Sequence, residues 1–403
     1  MTEWVPTPLE TASGLLFGHE PDSRGPASSE RDALAALERA VRPALGRTPW
    51  LVSFSGGLDS SAVLAVAARV ARREGLPPPV PVTLRFPGIP DADESDWQER
   101  LVSTLGLGDW QRIEIADELS VVGPYATDVL RRHGLLWPFN AYVHAPLVDL
   151  ARGGALLTGV GGDEILARSD WDRLSGVLHG RARPRLRDAR RVALALAPPA
   201  LRKRALRGRC PLVLPWLRDE ARASVDRLWA EQQASEPTRA SARGSWRLRS
   251  RALRSALRSI TAIAAERDVL ACHPLSDPAV VAALARHSRA GSRGERLASA
   301  LGTVLPDWLY ARRSKASFDD AFWREDARAL STGWDQQGPE SAYVEPDRLR
   351  NTWSEDVPDG RSYLLLQAYW LRLEASRAGA ESSPRATPTN ADVARRRPGG
   401  RPA

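Results

Sequence analysis

Two glycine-acid runs and one retained lysine are the residues of this chain whose types and spacing can carry out chemistry. The first run, Ser55-Gly56-Gly57-Leu58-Asp59-Ser60-Ser61, follows the apolar stretch Trp50-Leu51-Val52-Ser53-Phe54 and precedes a helical stretch from Ala62 to Arg73. A strand that ends in two glycines and passes straight into a helix brings unpaired N–H groups and the positive end of the helix dipole to one point, where an anion can be held. The hydroxyls of Ser55, Ser60 and Ser61 add donors, and Asp59 offers an oxygen ligand to a phosphate-bound Mg²⁺. The run reads as a pyrophosphate-binding loop. A Gly-Gly turn with an Asp or Ser N-cap explains the same letters without a ligand. G-x-x-x-x-G-K-[ST] is absent, so the signature is not that of a P-loop NTPase.

The second run is Thr158-Gly159-Val160-Gly161-Gly162-Asp163-Glu164. Alone it reads equally as a strand-to-helix turn with an acidic cap. Beside the first run it supplies a second carboxylate, Asp163, and Mg²⁺ is typically held by one or two carboxylates plus phosphate oxygens. A third element, Cys272-His273-Pro274-Leu275-Ser276-Asp277-Pro278, offers Asp277 as an N-cap ahead of a proline at the first helical position, and as a carboxylate that can also face the site. His273 is a candidate base, or a satisfied interior histidine. The fourth is Arg312-Arg313-Ser314-Lys315-Ala316-Ser317-Phe318. Where arginine fills nearly every basic position, a retained lysine points to a need for a compact ammonium in place of a planar fork. Lys203, inside Arg202-Lys203-Arg204, shows that a lysine also survives in a bland setting.

These side chains need a frame that brings distant loops together. Candidate strands are Trp50 to Phe54, Pro81 to Phe86, Gln111 to Ile115 and Ala155 to Thr158, separated by helical stretches at 60–74, 93–105, 124–133 and 141–152. That alternation predicts an α/β fold, a doubly wound parallel sheet whose ligands sit beyond the carboxyl ends of its strands. The two glycine-acid loops leave such ends and should lie side by side. An amphipathic helix is expected from Glu30 to Leu45. After about residue 166 strand signals fade and helices are expected to dominate to about 375, as a large helical C-terminal extension. The division reads as a lead-in over 1–47, an ATP-binding core over 48–170, a mostly helical remainder over 171–378 and a disordered tail over 379–403.

The composition narrows the function classes. No apolar run approaches the roughly 18 residues of a membrane span and no signal peptide opens the chain, so a cytoplasmic protein is expected. Cys210 and Cys272 are the only cysteines and lie in no His/Cys cluster, which argues against disulfides and zinc. The net charge is +8, yet all but two of the 57 basic residues are arginines, a bias of coding preference more than of partner. The densest basic stretch, Arg181 to Arg191 and then Arg202 to Arg209, reads as a solvated helix face, and nucleic acid is not the expected partner.

Taken in order and spacing, SGGLDSS, TGVGGDE, HPLSDP and RRSKASF resemble the synthetase domain shared by asparagine synthetases, β-lactam synthetases and lasso-peptide macrolactam synthetases, over roughly residues 48 to 325. The resemblance implies a fold of the PP-loop ATP pyrophosphatase type. It also implies a reaction in which a substrate carboxylate attacks the α-phosphate of ATP, releases pyrophosphate, and passes as an acyl-adenylate to an amine with loss of AMP. By carry-over, Ser55, Gly56, Gly57, Asp59, Ser60, Ser61, Gly159, Gly161 and Gly162 bind the nucleotide. Asp59 and Asp163 ligate Mg²⁺, and Lys315 neutralises charge on the phosphates and the intermediate. Asp277 and Glu164 complete the catalytic candidates.

The departures bear on the substrate. Thr2 stands where the glutaminase domain of asparagine synthetases has its cysteine, and 54 residues precede the loop, so glutamine hydrolysis is not expected. Val160 stands where asparagine synthetases place a glutamate and β-lactam synthetases a tyrosine. Valine cannot move a proton, so that role must fall to Glu164 or His273 or be unnecessary. These losses favour the peptide-cyclising branch or a related natural-product amide synthetase, with a small-molecule or peptide carboxylate and amine as substrates and, for the peptide branch, a leader peptidase and a leader-binding protein as partners. The rivals are an ammonia-dependent asparagine-synthetase-like enzyme, a tRNA-modifying relative of the same fold and a non-catalytic partner subunit. Trp137 is the tryptophan expected to wall the substrate pocket.

Overall fold

The first glycine-acid loop leaves a short strand, β1 (Trp50–Ser53), whose first three residues are all buried, as expected of a strand covered on both faces. The computed structural model describes residues 5–21, 31–180, 182–287, 291–310 and 318–382. Four further strands join β1: β2 (Val80–Arg85), β3 (Gln111–Glu114), β4 (Ala155–Leu157) and β5 (Leu270–Cys272). All pairings are parallel and the order is β3-β2-β1-β4-β5. The chain runs outward from β1 in one direction and returns to its other side at β4. This reversal opens a crevice at the carboxyl ends of β1 and β4, where the two glycine-acid loops emerge.

Alternation along the strands divides the core. Leu51 and Leu156 face one buried cluster with Val82, Ile115 and Tyr142, while Trp50, Val52, Ala155 and Leu157 face the other with Leu37, Val63 and Val281. The helix Leu58–Glu74 is buried from Ser60 to Ala68, which explains its alanine and valine content: small side chains let a helix lie close against a sheet while neighbours cover its back. It ends at Gly75, at φ +67°, a left-handed conformation that glycine adopts without Cβ strain.

Several expectations are corrected by the structure. Strand signals were expected to fade after residue 166, yet β5 pairs with β4 through Leu156↔Ala271 and completes the sheet. Three residues reading Leu-Ala-Cys are too short to show a period, and the pairing with β4 makes them a strand. The first helix expected from Glu30 is described from Ala33 to Leu45, where Asp32 Oδ1 accepts from the N–H groups of Leu34 and Ala35. Ahead of it an unforeseen helix, Pro8–Ser13, is capped by Thr7 and Glu10, and the Trp216 indole donates to the Ala12 carbonyl at 2.8 Å. The final helix, Tyr363–Ser382, runs past the expected start of the tail at Gly379; residues 383–403 lie outside the described residues. No helix among the described residues is long and apolar enough to cross a membrane.

The basic stretch forms two helices, Leu186–Leu196 and Pro199–Leu206. Asp188, 4 % exposed, ties the first of them to the helix Asp170–Leu178. Its oxygens accept from Nε and Nη2 of Arg173, both at 2.8 Å, and from the N–H of Arg185 at 2.9 Å. The Arg173 fork holds the Asp188 carboxyl down to about 2. Cys210 and Cys272 are free thiols, and burial pushes the Cys272 thiol up to about 11.

Candidate active site

At Gly56, φ is +84°, and a side chain there would press on Gln98 at 2.8 Å. Gln98 in turn donates to the Ser55 carbonyl at 2.9 Å, fixing the loop to the helix Ser95–Leu105. The helix Leu58–Glu74 starts at Gly57 with no side-chain cap. Asp59 lies inside the first turn and does not cap it, so the N-cap explanation of this run fails. Ser60 Oγ donates to the Gly57 carbonyl at 3.1 Å, and Ser61 Oγ to the Gly56 carbonyl at 3.4 Å. Ser55 Oγ lies 3.1 Å from Ser60 Oγ and accepts from the Gly57 N–H at 3.3 Å. The result is a rigid turn in front of a helix N-terminus left open to an anion.

The second loop packs directly on the first. A Cβ at Gly159 would stand 2.8 Å from the Ser60 backbone nitrogen, and one at Gly162 would fall on the Asp59 carboxylate. Gly161, at φ +94°, gives up its side-chain space to Ser276, whose hydroxyl donates to the Val160 carbonyl at 3.1 Å. The HPLSDP element therefore braces the TGVGGDE loop. Asp277 itself caps the helix Pro278–Arg286, accepting from Ala279 N at 2.8 Å and Val280 N at 3.2 Å.

A cavity of about 880 Å³ opens over these loops. Ser55, Gly57, Asp59, Ser60, Gly159 and Asp163 wall it, as the sequence predicts. Gly56, Ser61, Gly161 and Gly162 shape the loops from behind, and Asp277, Glu164 and His273 are not in the wall. Lys315 lies outside the described residues, while Tyr310 and Phe318 on either side of that segment both wall the cavity. Trp137 walls neither this cavity nor a second one of about 610 Å³; its carbonyl accepts from Ser259 Oγ at 2.8 Å.

The sequence reading missed Arg293. Its guanidinium forms ion pairs with both Asp59 and Asp163, so the two carboxylates expected to share a cation converge on one. Burial, aided by the nearby charge of Arg296, pulls Arg293 down to about 10. It opens the helix Arg293–Leu301, which Ser292 and Glu295 cap reciprocally. That S-x-x-E box is readable in the sequence as a helix start, but nothing in it tells which carboxylates the arginine will meet. Asp59 Oδ1 is buried without a partner. Two converging carboxylates, one with an idle buried oxygen, fit a divalent cation that completes its shell with phosphate oxygens. No group of three or more His, Cys, Asp or Glu able to hold a metal alone occurs among the described residues.

His273 Nδ1 lies 2.8 Å from Thr158 Oγ1, and its Nε2 is buried without a partner. Burial, then the nearby ring of His144, pull it down to about 4, so it is neutral at physiological pH. His144, also missed, walls both cavities, and burial lowers it as well.

No curated protein matches the chain closely enough to count as a relative. The family model described as asparagine synthase matches residues 32–375, which extends the motif resemblance through most of the helical remainder; the match is to the synthetase domain, and no glutaminase domain is matched. The parallel sheet, with an open helix N-terminus after β1 and a carboxylate-bearing loop after β4, is that of the PP-loop ATP pyrophosphatase type. The chain belongs to the asparagine synthase family, whose members are ATP-dependent carbon–nitrogen ligases.

Proposed function

We propose that this protein is an AMP-forming amide synthetase that adenylates a substrate carboxylate and transfers it to an amine, in the biosynthesis of a natural product or a peptide macrolactam of the lasso type. The observation that carries the reading is the convergence of the uncapped helix N-terminus at Gly57 with the Asp59 and Asp163 carboxylates on one cavity wall. Ser55, Gly57 and Ser60 would hold the β- and γ-phosphates that leave as pyrophosphate. Asp59 and Asp163 would hold Mg²⁺, which supplies charge neutralisation to the phosphates when bound. Lys315 keeps the role its motif assigns, a compact cation at the transferring group. Bound against the two fixed loops, carboxylate and α-phosphate would be held in register, the proximity that makes attack effectively unimolecular.

One feature sets the site apart from that of an asparagine synthetase. Val160 lines the cavity in place of a proton-bearing side chain. The adjoining cavity of about 610 Å³ is walled by Val82, Leu84, Phe86, Phe318 and Phe322, apolar surface beside the phosphate loop that suits the adenine ring of ATP. The test is ATP/pyrophosphate exchange and AMP release with the purified protein, offered aspartate, hydrophobic amino acids and linear peptides bearing an internal Asp or Glu. Exchange that depends on a peptide or apolar acid, and is lost in Asp59→Asn, supports the proposal. Exchange with aspartate alone returns the protein to the ammonia-dependent alternative.

A further inference from the structure

The basic helix Leu186–Leu196 lies on the protein surface with its amphipathic sides reversed. Asp188 and, less deeply, Arg191 and Ala195 face the protein, while Leu186, Ala189, Ala193 and Leu196 recur at the spacing of one helix face and are all exposed. Leu186 is 97 % exposed and Leu196 82 %. The Arg173 fork accounts for the reversal: it draws the Asp188 carboxylate inward, and the opposite side of the helix then turns to solvent. Beyond Pro198, Leu201 on the helix Pro199–Leu206 is exposed as well. Six of the eleven large apolar side chains exposed among the described residues lie between Leu178 and Val213. So dense a grouping marks an interaction surface.

The charge around this face identifies its partner. Residues 183–209 hold ten basic residues and one acid, Asp188, whereas the whole chain carries +8, so its entire positive excess is gathered here. The single acid is buried. Arg187 and Arg190 flank the apolar face, exposed, and Arg204, Arg207 and Arg209 follow, also exposed. No ion pair among the described residues engages any of these five, whereas Arg191 pairs with Asp188 and Lys203 with Glu231.

A second copy of the chain would set this charge against itself, and residues 383–403, with five arginines to one aspartate, carry the same sign. A nucleic acid would use the arginines but leave the leucines in water. A protein interface is built on aromatic anchors and a core poor in charge, and residues 183–209 contain no aromatic side chain. A surface of anionic lipid satisfies both parts of the face. Leucine and alanine enter the boundary between headgroups and acyl chains, and the flanking arginines reach lipid phosphates with their stems along the apolar layer. We infer that the outward face of the helix Leu186–Leu196 docks on an anionic lipid surface, lying in its plane without crossing it. The inference stands apart from the amide-synthetase reading, because no residue of the helix walls either cavity.

The test is flotation of the full chain with vesicles of phosphatidylcholine alone and of phosphatidylcholine mixed equally with phosphatidylglycerol. Two variants separate the contributions: Leu186→Ser with Leu196→Ser removes the apolar anchors, and Arg187→Gln with Arg190→Gln removes two charges. All four side chains are exposed and outside the Asp188 clamp, and melting curves check that both variants fold. The expected result is binding to the anionic vesicles and not to the neutral ones, weakened about tenfold or more by each variant. Absence of binding to anionic vesicles overturns the proposal and assigns the face to a protein partner. Binding that the leucine variant leaves unchanged also overturns it, since the chain then adheres by charge alone, as it would to RNA. So does a dimer, read by analytical ultracentrifugation without lipid, that the leucine variant dissociates.

Discussion

Replacing Arg293 by glutamine should make the nucleotide-free protein bind a divalent cation more tightly. In the structure any such cation must displace the guanidinium from both Asp59 and Asp163. The Asp59 side chain is 14 % exposed and that of Asp163 63 %, so the two ion pairs differ in strength. Partly exposed pairs contribute from a few tenths to about 1 kcal/mol, which puts the Asp163 pair near the bottom of that range and the Asp59 pair near its top. Removing both lowers the cost of cation entry by roughly 1–1.5 kcal/mol, an affinity gain of about five- to tenfold. Glutamine retains a polar side chain of similar reach without charge. The assay is titration with Mn²⁺ followed by electron paramagnetic resonance, on wild type and Arg293→Gln without nucleotide. Adding Asp163→Asn to the variant should abolish the gain, because the two changes act on one cluster. Unchanged or weaker Mn²⁺ binding in Arg293→Gln would refute the reasoning, showing that the guanidinium does not occupy the cation's place.

Further outcomes follow from particular contacts. Gly162→Ala places a Cβ on the Asp59 carboxylate, and should lower Mn²⁺ and ATP affinity at least tenfold while thermal unfolding shifts little, as read by calorimetric titration and melting curves. His273 is held down at about 4 against an ordinary value near 6.5. Its neutral form therefore contributes stability that is fully present above about pH 6.5 and is lost as pH falls through 4, roughly 3 kcal/mol in all; His273→Asn should flatten the denaturation midpoint over that window relative to wild type. The Asp188 carboxyl, held at about 2 by Arg173, acts at lower pH: its contribution is present above about pH 4 and lost as pH falls through 2. Asp188→Asn should render hydrogen exchange in the helix Leu186–Leu196 fast at neutral pH, and an unchanged exchange rate would count against the clamp.

Much of the site was legible because its signals are local. A glycine pair after an apolar strand and an acid in the next helical turn limit the backbone to a tight turn and a helix start, and Ser55, Gly57, Asp59, Ser60, Gly159 and Asp163 all reach the cavity wall. The four strands read from the alternation of strand and helix fall within a residue or so of β1 to β4; β1 and β4 show the apolar runs that burial on both faces needs, whereas β3, mostly exposed at the sheet edge, is marked by its place between helices. Ser61 and Asp277 show the limit of such reading. Their letters match a ligand-binding pattern, but one hydroxyl turns back to the Gly56 carbonyl and the other side chain caps a helix. Which way a polar side chain points is decided by its unpaired neighbours, and those belong to the folded chain.

What the amino-acid order determined by itself was the βα alternation and the two loops, and through them the family. Only the tertiary structure decided which other residues share the crevice. Arg293 lies 130 residues beyond Asp163, and His144 stands in a short turn with no motif. β5 is a strand because β4 offers it an edge. The physical reason is common to all three. Local pattern encodes backbone geometry within a few residues, whereas ion pairing, cavity exposure and sheet completion depend on partners that folding alone brings within reach.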